Sequence, residues 1–569
     1  MAKIDGATIV ARMLKEAGVE RIFTLSGGHI FRIFQECEKV GIQILDVRSE
    51  GAGVYAAMGY AQASGKMGVF VATAGPGVTN TVTAVADSHI FDVPLLIIGG
   101  GSAEKQLNTE TLQEYDTVSM MAACTGWSKR CTRTERIGEY MATAIRACLG
   151  MSPGSAYVEF PIDILEAIYI EEDLPKYPVN YMYNRRSGAD PAAVEEIADL
   201  LIHAERPAML IGEGAQYGCG NMSIFAELAE YLQLPTGVSR TNKGKCGREE
   251  KTLYRVGQLA AASADVVLAL NIKLDFSENT AVNPNARLIS IHTNSQWIGL
   301  NRPVDIGICA HSDVVAAQIL ECVKAKTPKK ESSTWVDLLK EKHEATLKGL
   351  DAAYFLADTN PIHPARVAHE VQIFLNEDGG EFCQVVDGGD CLLWELVAAN
   401  YKMRDIGAFP NRFFYSTKLG TIGYGLGAAF GVWAATGRPV LLTLGDGSFG
   451  EYIGELYTYV KHGAQIVVLI CNDSNFGMIK GFAIAHAPEE NVEIANTLSP
   501  GGGSGYFAYD KITASWGGHG ETVADAAEIV PALIRAKESG GVSVLNVIAD
   551  CKEEFFNPGT VGLYKRLLL

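Results

Sequence analysis

The 569-residue sequence has no hydrophobic run long enough to cross a lipid bilayer. Apolar stretches such as residues 440–444 and 466–471 are far shorter than the roughly 20 residues that a membrane-spanning helix requires. The first residues also lack the apolar centre of a signal peptide. We therefore expect a cytoplasmic protein that has no membrane partner.

Closely spaced cysteine pairs and basic runs are absent as well. The 12 cysteines are scattered singly and form no C-x-x-C motif, so neither a zinc site nor a disulfide framework is supported. The chain has 48 Lys and Arg against 66 Asp and Glu, which gives a formal charge of −18. Because such a chain repels polyanions, we expect no nucleic-acid partner.

Glycine is the residue that the sequence has in excess. It occupies 60 of 569 positions, against a usual share of about 7%. No collagen-like period explains this excess, which indicates many positions where the backbone turns tightly or approaches a ligand. With 48% hydrophobic and 20% charged residues the composition is that of a soluble globular chain, and the length corresponds to three or four domains.

Short apolar segments rich in Val, Ile and Phe alternate with longer amphipathic segments along the chain. This alternation is typical of parallel sheets with helices on both faces. We predict an α/β protein of three such domains, at residues 1–180, 190–335 and 360–569, the last of which includes a C-terminal tail. The predicted strands are 21–25, 44–47, 69–73, 94–98, 156–160, 208–211, 266–270, 288–291, 384–387, 440–444, 466–471 and 542–548.

The most informative segment contains Asp446 within a Gly-Asp-Gly-Ser turn that follows a predicted strand. Asp473 follows the next strand, 473 − 446 = 27 residues later. Because neighbouring parallel strands end at the same edge of a sheet, we expect the two carboxylates to converge on a small divalent cation. The turn and the helix after it would hold a phosphate group.

The helix after this turn is predicted from its apolar spacing. We expect one helix from about Phe449, with Ile453, Leu456 and Val460 on a single buried face.

The turn, together with Asn472-Asp473, resembles the signature of thiamine-diphosphate-dependent enzymes. The resemblance implies thiamine diphosphate and Mg²⁺ as cofactors, with Asp446, Asp473 and Asn475 at the metal. Position 473 is normally Asn in that family, so this chain adds a negative charge, which magnesium accepts as a ligand. The implied cofactor contacts in this region are Gly388, Gly389, Gly445, Gly447 and Ser448.

The N-terminal domain resembles the pyrimidine-binding domain of the same family. Glu50 lies where a predicted strand gives way to an Ala- and Gly-rich helix, and a glycine-rich turn follows at residues 73–80. In the family the matching Glu shares a proton with the aminopyrimidine and so promotes removal of the thiazolium C2 proton. The resemblance implies that Glu50 is catalytic. The implied cofactor contacts here are Thr73, Pro76, Gly77 and Asn80.

The cofactor must bend for this chemistry, and in the family an apolar side chain lies beneath it. The matching segment is Leu419-Gly420-Thr421-Ile422. The resemblance implies that Ile422 supports the bent cofactor and that the carbonyl of Gly420 accepts a hydrogen bond from its amino group. An Ile in a glycine-rich turn is also ordinary core, and this alternative stays open.

Two loops at predicted strand ends carry candidate substrate residues. His29 follows the first predicted strand and Gln113 follows the fourth. An imidazole can move a proton to and from a hydroxyl near neutral pH, and an amide can orient a carbonyl. A His and a Gln at these two positions resemble the matching loops of benzaldehyde lyase and its acyloin-lyase relatives. Met478 replaces a smaller Ala of that enzyme, so we expect a narrower substrate pocket bounded by Phe476 and Met478.

The resemblance implies a carbon–carbon lyase or carboligase that acts on 2-hydroxy ketones and aldehydes through an acyl-carbanion intermediate. Acetolactate synthase, which uses 2-oxo acids, is the main alternative because residues 113–116 also resemble it. Gly126 in place of a Lys, and His29 in place of an Ala or Ser, argue against that alternative. A 2-hydroxyacyl-CoA lyase also stays open.

In the family, the pyrimidine-binding domain of one subunit faces the diphosphate-binding domain of another. The resemblance therefore implies a homodimer or homotetramer with active sites between subunits, residues 1–180 being pyrimidine-binding, 190–335 central and 360–569 diphosphate-binding. The central segment 211–215 contains a Gly-x-Gly, but Tyr217 occupies the last glycine position of a dinucleotide motif. We expect the central domain to bind no nucleotide.

Overall fold

The computed structural model describes residues 2–179, 186–238, 257–275, 281–402, 413–415, 418–486, 496–502 and 505–550. Within these residues the backbone forms three parallel sheets of six, five and six strands, each flanked by helices. The α/β class and the three-sheet organisation are therefore confirmed. The C-terminal tail from residue 551 lies outside the described residues. None of the described helices combines the length and the apolarity needed to cross a membrane.

The N-terminal sheet has the strand order β3-β2-β4-β5-β7-β6, and an antiparallel pair, β1 and β8, lies beside it. Its strands are β1 (Lys3–Asp5), β2 (Arg21–Thr24), β3 (Gln43–Asp46), β4 (Gly68–Ala72), β5 (Leu95–Gly101), β6 (Trp127–Arg130), β7 (Ser155–Pro161) and β8 (Ile168–Ile170). Its helices are α1 (Gly6–Glu16), α2 (Phe31–Lys39), α3 (Glu50–Ser64), α4 (Pro76–Thr79), α5 (Val82–Ile90), α6 (Thr117–Ala122), α7 (Ile137–Leu149) and α8 (Ile162–Glu166).

The central sheet has the strand order β10-β9-β11-β12-β13. Its strands are β9 (Pro207–Ile211), β10 (Thr236–Val238), β11 (Val266–Leu270), β12 (Arg287–His292) and β13 (Ile306–Cys309). The helices of this region are α9 (Pro191–His203), α10 (Ala215–Gly218), α11 (Ser223–Leu232), α12 (Gly257–Ala261) and α13 (Ser312–Lys326), and α14 (Thr334–Leu350) leads to the next sheet.

The C-terminal sheet has the strand order β15-β14-β16-β17-β19-β18. Its strands are β14 (Cys383–Val386), β15 (Phe413–Tyr415), β16 (Val440–Gly445), β17 (Ile466–Asn472), β18 (His519–Val523) and β19 (Val542–Ile548). Its helices are α15 (Pro364–Glu377), α16 (Asp390–Lys402), α17 (Tyr424–Thr436), α18 (Asp446–Glu451), α19 (Glu455–His462), α20 (Gly477–His486) and α21 (Ile529–Glu538).

The single helix predicted from Phe449 is wrong. The backbone instead forms α18, which begins at Asp446 and ends at Glu451, and a separate helix α19. Val460 is 38% exposed, so it does not belong to a buried face, whereas Leu456 is fully buried. The break reorients α19 so that polar Glu455 and Thr458 are buried instead.

Helices α3 and α17 join the N-terminal and C-terminal sheets through one shared core. Both helices are rich in Gly and Ala and are buried along nearly their whole length. A Cβ on Gly427 would lie 2.2 Å from the carbonyl oxygen of Ala52, and one on Gly59 would lie 2.5 Å from that of Ala428. The two backbones can approach this closely only because these positions lack side chains.

Candidate active site

The carboxyl ends of β14, β16 and β17 border a cavity of about 270 Å³ that opens to solvent. Open parallel sheets commonly bind ligands at this edge. The cavity is lined by all of the predicted site residues of the C-terminal region, namely Gly388, Gly389, Gly420, Ile422, Gly445, Asp446, Gly447, Ser448, Asp473, Asn475, Phe476 and Met478.

Glycines form much of the wall of this cavity. Gly389 has φ +94° and Gly420 has φ +68°, conformations that side chains disfavour, and a Cβ on either would meet open space. A Cβ on Gly388 would lie 3.4 Å from Cγ2 of Ile422, so Ile422 projects between two glycine turns. Ile422 is only partly buried, which places it on the cavity wall.

Asp446 and Asp473 lie side by side in the cavity, and a hydrogen bond joins their carboxyl groups. Burial raises the pKa of Asp446 to about 7, although hydrogen bonds from backbone N–H groups and from Asp473 oppose the shift. Burial and the charge of Asp446 raise the pKa of Asp473 well above its usual value. Two buried carboxyl groups in contact cannot both be ionised unless a cation is bound, and hard oxygen donors of this kind fit a small divalent cation.

Asn475 folds the segment after β17 back toward Asp473. Its backbone N–H donates to Oδ1 of Asp473 over 2.9 Å, and its side-chain amide donates to the Asp473 carbonyl over 2.7 Å. These bonds orient the Asp473 carboxyl group.

Asp387 is a buried carboxyl group that the sequence reasoning did not select. One of its oxygens accepts from the N–H of Gly388 over 2.6 Å, and the other accepts from the N–H groups of Gly423 and Gly425 over 3.0 and 2.9 Å. Burial raises its pKa to about 7, against the effect of these three bonds. Asp387 therefore ties the Gly388 turn to the turn that carries Ile422. Asp387 ends a predicted strand and directly precedes two glycines, and this position could have indicated it from the sequence.

Other cavity residues were also missed by the sequence reasoning. Asp390 and Cys391 follow the glycine pair 388–389, and Cys471 precedes the Asn472-Asp473 segment. Because they are adjacent to these motifs, the sequence could have indicated them as cavity residues. Pro364 and Asp550 belong to no motif and reach the cavity only through the fold.

The N-terminal sheet brings a second group of predicted residues together at its own carboxyl edge. His29 Nδ1 lies 3.2 Å from Oγ1 of Thr73. A Cβ on Gly75, which has φ +58°, would lie 2.6 Å from the carbonyl oxygen of Gln113, so these two loops are in contact. Partial burial lowers the pKa of His29, which favours the neutral imidazole.

Glu50 is the first residue of α3, as the sequence indicated, and it is buried. Its Oε2 accepts a hydrogen bond of 3.1 Å from the side-chain amide of Asn80. Asn80 follows the short helix α4, which contains Pro76 and Gly77 and is held against Thr73. The predicted pyrimidine-side residues thus form one continuous surface with His29 and Gln113.

The backbone before Glu50 is held by the C-terminal domain. Oε1 of Glu455 accepts from the N–H groups of Arg48 and Ser49 over 2.9 and 2.8 Å. Oε2 of Glu455 accepts from the Thr458 hydroxyl over 2.6 Å. A carboxylate at this position satisfies N–H groups at the start of α3 and is favourably placed in the helix dipole.

The described residues of the N-terminal group do not line the C-terminal cavity. Every described residue that lines the C-terminal cavity lies at position 364 or later, and Glu50 is not among them.

Comparison with known proteins identifies three consecutive family models along the chain. The model of the thiamine pyrophosphate enzyme N-terminal TPP binding domain matches residues 4–120. The model of the thiamine pyrophosphate enzyme central domain matches residues 194–319. The model of the C-terminal TPP binding domain matches residues 395–547. Glu50 lies within the match to the N-terminal model, and Asp446 lies within the match to the C-terminal model.

Several known proteins are similar to this chain over most of their length. The acetolactate synthase large subunit IlvG of Mycobacterium tuberculosis is 29% identical over 551 residues, which cover 95% of both chains. The 2-hydroxyacyl-CoA lyase 2 of Danio rerio is 30% identical over 517 residues, covering 83% of this chain and 81% of that protein. A probable acetolactate synthase large subunit of Methanocaldococcus jannaschii is 26% identical, covering 97% and 93%.

The order of the three matched models agrees with the order of the three sheets, and the residues brought together at two sheet edges are those that the family resemblance selected. The chain belongs to the thiamine pyrophosphate enzymes, in the acetolactate synthase and pyruvate oxidase-like superfamily.

Proposed function

We propose that this thiamine-diphosphate-dependent enzyme uses Mg²⁺ and is a carbon–carbon lyase and carboligase acting on 2-hydroxy ketones and aldehydes. The observation that carries the reaction type is His29, a half-buried imidazole with a lowered pKa beside Thr73, whose loop contacts Gln113 at Gly75. Cleavage of a 2-hydroxy carbonyl compound requires removal of a hydroxyl proton, and a neutral imidazole is suited to accept it.

The cavity of the C-terminal domain fits the diphosphate and its metal. The glycines at 389 and 420 leave open space where side chains would stand, which suits close approach of a ligand to the backbone. Asp446 and Asp473 would coordinate Mg²⁺ together with the Asn475 segment, and Ser448 would contact the diphosphate. The metal would supply the positive charge that the buried carboxylate pair requires.

When bound, thiamine diphosphate supplies a carbon nucleophile that adds to a carbonyl carbon and accepts the electron pair released by bond cleavage. Glu50 would hold a proton on the pyrimidine ring, Ile422 would support the bent shape, and the Gly420 carbonyl would accept a hydrogen bond from the amino group. Asn80 would orient the Glu50 carboxyl group through their hydrogen bond.

The substrate would lie between His29 and the cavity wall formed by Phe476 and Met478. Both side chains line the cavity, and a Cβ on Gly447 would lie 2.8 Å from the ring of Phe476, so this wall is close to the metal turn. We propose small aliphatic or mixed aldehydes because the two side chains reduce the space for a second bulky ring.

We further propose a homodimer or homotetramer. The cavity of one chain is lined by its own C-terminal residues, whereas Glu50, His29 and Gln113 belong to a separate edge. An active site that needs both groups is complete only if a second chain supplies the N-terminal edge.

Two other reactions are favoured by similar proteins. The similarity to acetolactate synthases supports a 2-oxo acid decarboxylase and carboligase, and the similarity to 2-hydroxyacyl-CoA lyase 2 supports cleavage of a CoA thioester. Cleavage of a 2-hydroxyacyl-CoA needs an acceptor for a hydroxyl proton, as does cleavage of a 2-hydroxy ketone. His29 therefore supports these two reactions over the acetolactate synthase reaction.

A substrate panel separates these reactions. Purified holoenzyme is incubated with acetoin, pyruvate or a 2-hydroxyacyl-CoA, and released aldehyde and carbon dioxide are measured separately. We expect aldehyde from acetoin without carbon dioxide. Carbon dioxide from pyruvate with acetolactate as the product, and no aldehyde from the other two, would instead establish an acetolactate synthase. Aldehyde from the thioester alone would establish the CoA lyase.

A further inference from the structure

Buried charged side chains from all three sheets meet at the carboxyl edge of the central sheet. Nζ of Lys418, from the C-terminal region, lies 2.8 Å from Oε1 of Glu213 and 3.5 Å from Oδ2 of Asp275 in the central region. Nζ of Lys273, also central, lies 2.7 Å from Oδ2 of Asp92 in the N-terminal region. The side chains of Lys418 and Glu213 are only 9% and 5% exposed.

These side chains occupy the edge where a parallel sheet usually accepts a ligand. Glu213 follows β9, Lys273 follows β11, and His292 ends β12. Burial, with the nearby Lys273 charge, lowers the pKa of His292 to about 3, so the imidazole is neutral within the cluster. A Cβ on Gly212 would lie 2.2 Å from the Asn271 carbonyl oxygen, so β9 and the segment after β11 are closely packed. The chain's own charged groups therefore fill this edge.

Lys418 lies two residues before Gly420, which begins the turn at the cofactor cavity, residues 420–422. The turn is also held from two other sides. Oγ1 of Thr421 donates to Oδ2 of Asp87 in α5 over 2.9 Å, and the N–H of Gly423 donates to Asp387 over 3.0 Å. Glu213, Asp87 and Asp387, one from each of the three regions, thus hold this segment. Within it, Gly420 has a positive φ.

A buried ion pair restrains the positions of both of its side chains. Loss of one partner leaves the other charge buried and uncompensated, so both side chains are held in one geometry. Among the described residues, two carboxylates lie within ion-pair distance of Lys418, and both belong to the central region. The position of the 420–422 turn is consequently coupled to the central domain.

We propose that Glu213 and Lys418 are positioning residues through which the central domain fixes the 420–422 turn, and with it Ile422 and the Gly420 carbonyl, beneath the cofactor. This inference rests on the proposed role of Ile422 and Gly420 in bending thiamine diphosphate. It gives the central domain a part in positioning the activated cofactor.

The test measures cofactor activation without substrate. Wild type, Lys418→Met and the double variant Glu213→Leu/Lys418→Met are loaded with thiamine diphosphate and Mg²⁺, and the rate at which the bound cofactor exchanges its C2 proton for deuterium is followed by NMR after acid quenching. The double variant removes Glu213 together with Lys418, so that the more deeply buried of the two carboxylates does not lose its partner. Calorimetry gives the cofactor dissociation constant, and amide hydrogen exchange of the cofactor-free protein reports on the 418–425 segment.

We expect both variants to slow C2 exchange by about 100-fold, the effect of a small misplacement of a catalytic constellation. The dissociation constant should change by less than about threefold, because the diphosphate contacts remain. Amide exchange at 418–425 should accelerate in the cofactor-free protein.

The matched control is Arg186→Met. Arg186 pairs with buried Asp313 entirely within the central region, and its Nη2 lies 2.7 Å from Oδ1 of Asp313. This variant should lower the urea midpoint as Lys418→Met does but leave C2 exchange unchanged. Wild-type C2 exchange in both Lys418 variants, or equal slowing in Arg186→Met, would overturn the positioning role. Absence of saturable cofactor binding to the wild type would instead overturn the proposed function.

Discussion

Replacement of Glu455 by Ala tests how the C-terminal domain supports Glu50. The Glu455 side chain is buried, and its Oε1 accepts two backbone N–H groups, those of Arg48 and Ser49. Burial raises the pKa of Glu455, whereas hydrogen bonds from Thr458 and from these two N–H groups lower it. The variant removes the acceptor and leaves both N–H groups at the start of α3 without it.

The expected cost follows from these bonds. A hydrogen bond to a charged group contributes about 1.5–3 kcal/mol, so two of them correspond to roughly 3–6 kcal/mol, less whatever water recovers in the space left behind. Glu455→Gln keeps a carbonyl oxygen in the same place and should cost about 1–2 kcal/mol. The exposed Glu451→Ala is the matched control and should change stability by less than about 0.5 kcal/mol.

Urea unfolding and amide hydrogen exchange measure these effects. Because a chain with three sheets need not unfold in a single step, exchange of the 48–54 amides is the more direct readout. We expect these amides to lose protection in Glu455→Ala and to regain most of it in Glu455→Gln. Unchanged protection in Glu455→Ala would refute the view that the C-terminal domain holds the start of α3.

Further predictions concern the site itself. Glu50→Gln should lower turnover far more than cofactor affinity, because the amide retains shape but cannot share the proton, and steady-state kinetics with calorimetry compare the two. Asp473→Asn should weaken Mg²⁺ binding by about 10-fold while stabilising the metal-free protein against urea, because it removes one of two contacting buried carboxylates. His29→Gln should lower hydroxy-ketone cleavage about 100-fold. In the wild type the lowered pKa of His29 keeps the imidazole neutral as pH falls to 6.5, so an acid-side loss of activity should lie below that pH and disappear in the variant. Mixed Glu50→Gln and Asp446→Ala chains should recover activity that neither has alone; failure to recover any, in hybrids shown to form, would argue against sites between chains.

The strands that the sequence pattern predicted are those with neighbours on both sides, together with β3. The strands that it missed include β6, β10, β13, β15 and β18, which all lie at the edges of their sheets. An edge strand such as Ile306–Cys309 alternates between partly buried and exposed residues and is short, so it lacks the apolar run that marks a central strand. Burial by neighbouring strands, and not intrinsic propensity, produced the sequence signal.

Local motifs predicted which residues lie together at the sheet edge better than apolar spacing predicted the helix beside them. Asp446 and Asp473 are informative because each follows a strand, and strand ends converge by the topology of a parallel sheet. Glu455, the first residue of α19, accepts a hydrogen bond from the N–H of Arg48, which lies 455 − 48 = 407 residues away. The Glu213–Lys418 pair spans 418 − 213 = 205 residues. Sequence periodicity and local spacing do not indicate contacts between residues so far apart in the chain. The roles of Glu455, Glu213 and Lys418 are therefore visible only in the tertiary structure.

The glycine excess has two separate physical causes, and together they constrain how the active site can be assembled. Gly389 and Gly420 leave open space in the cofactor cavity, whereas Gly427 and Gly431 allow α17 to contact the backbone of α3, where a Cβ on Gly431 would lie 1.9 Å from the Ala56 carbonyl oxygen. Glu50 begins α3 and is therefore fixed by the helix pair as well as by Glu455. Movement of Glu50 toward the cavity of its own chain would have to separate two helices that share a buried core. Since that core holds the two domains of one chain together, an identical second chain is the simplest source of the glutamate that the proposed chemistry requires.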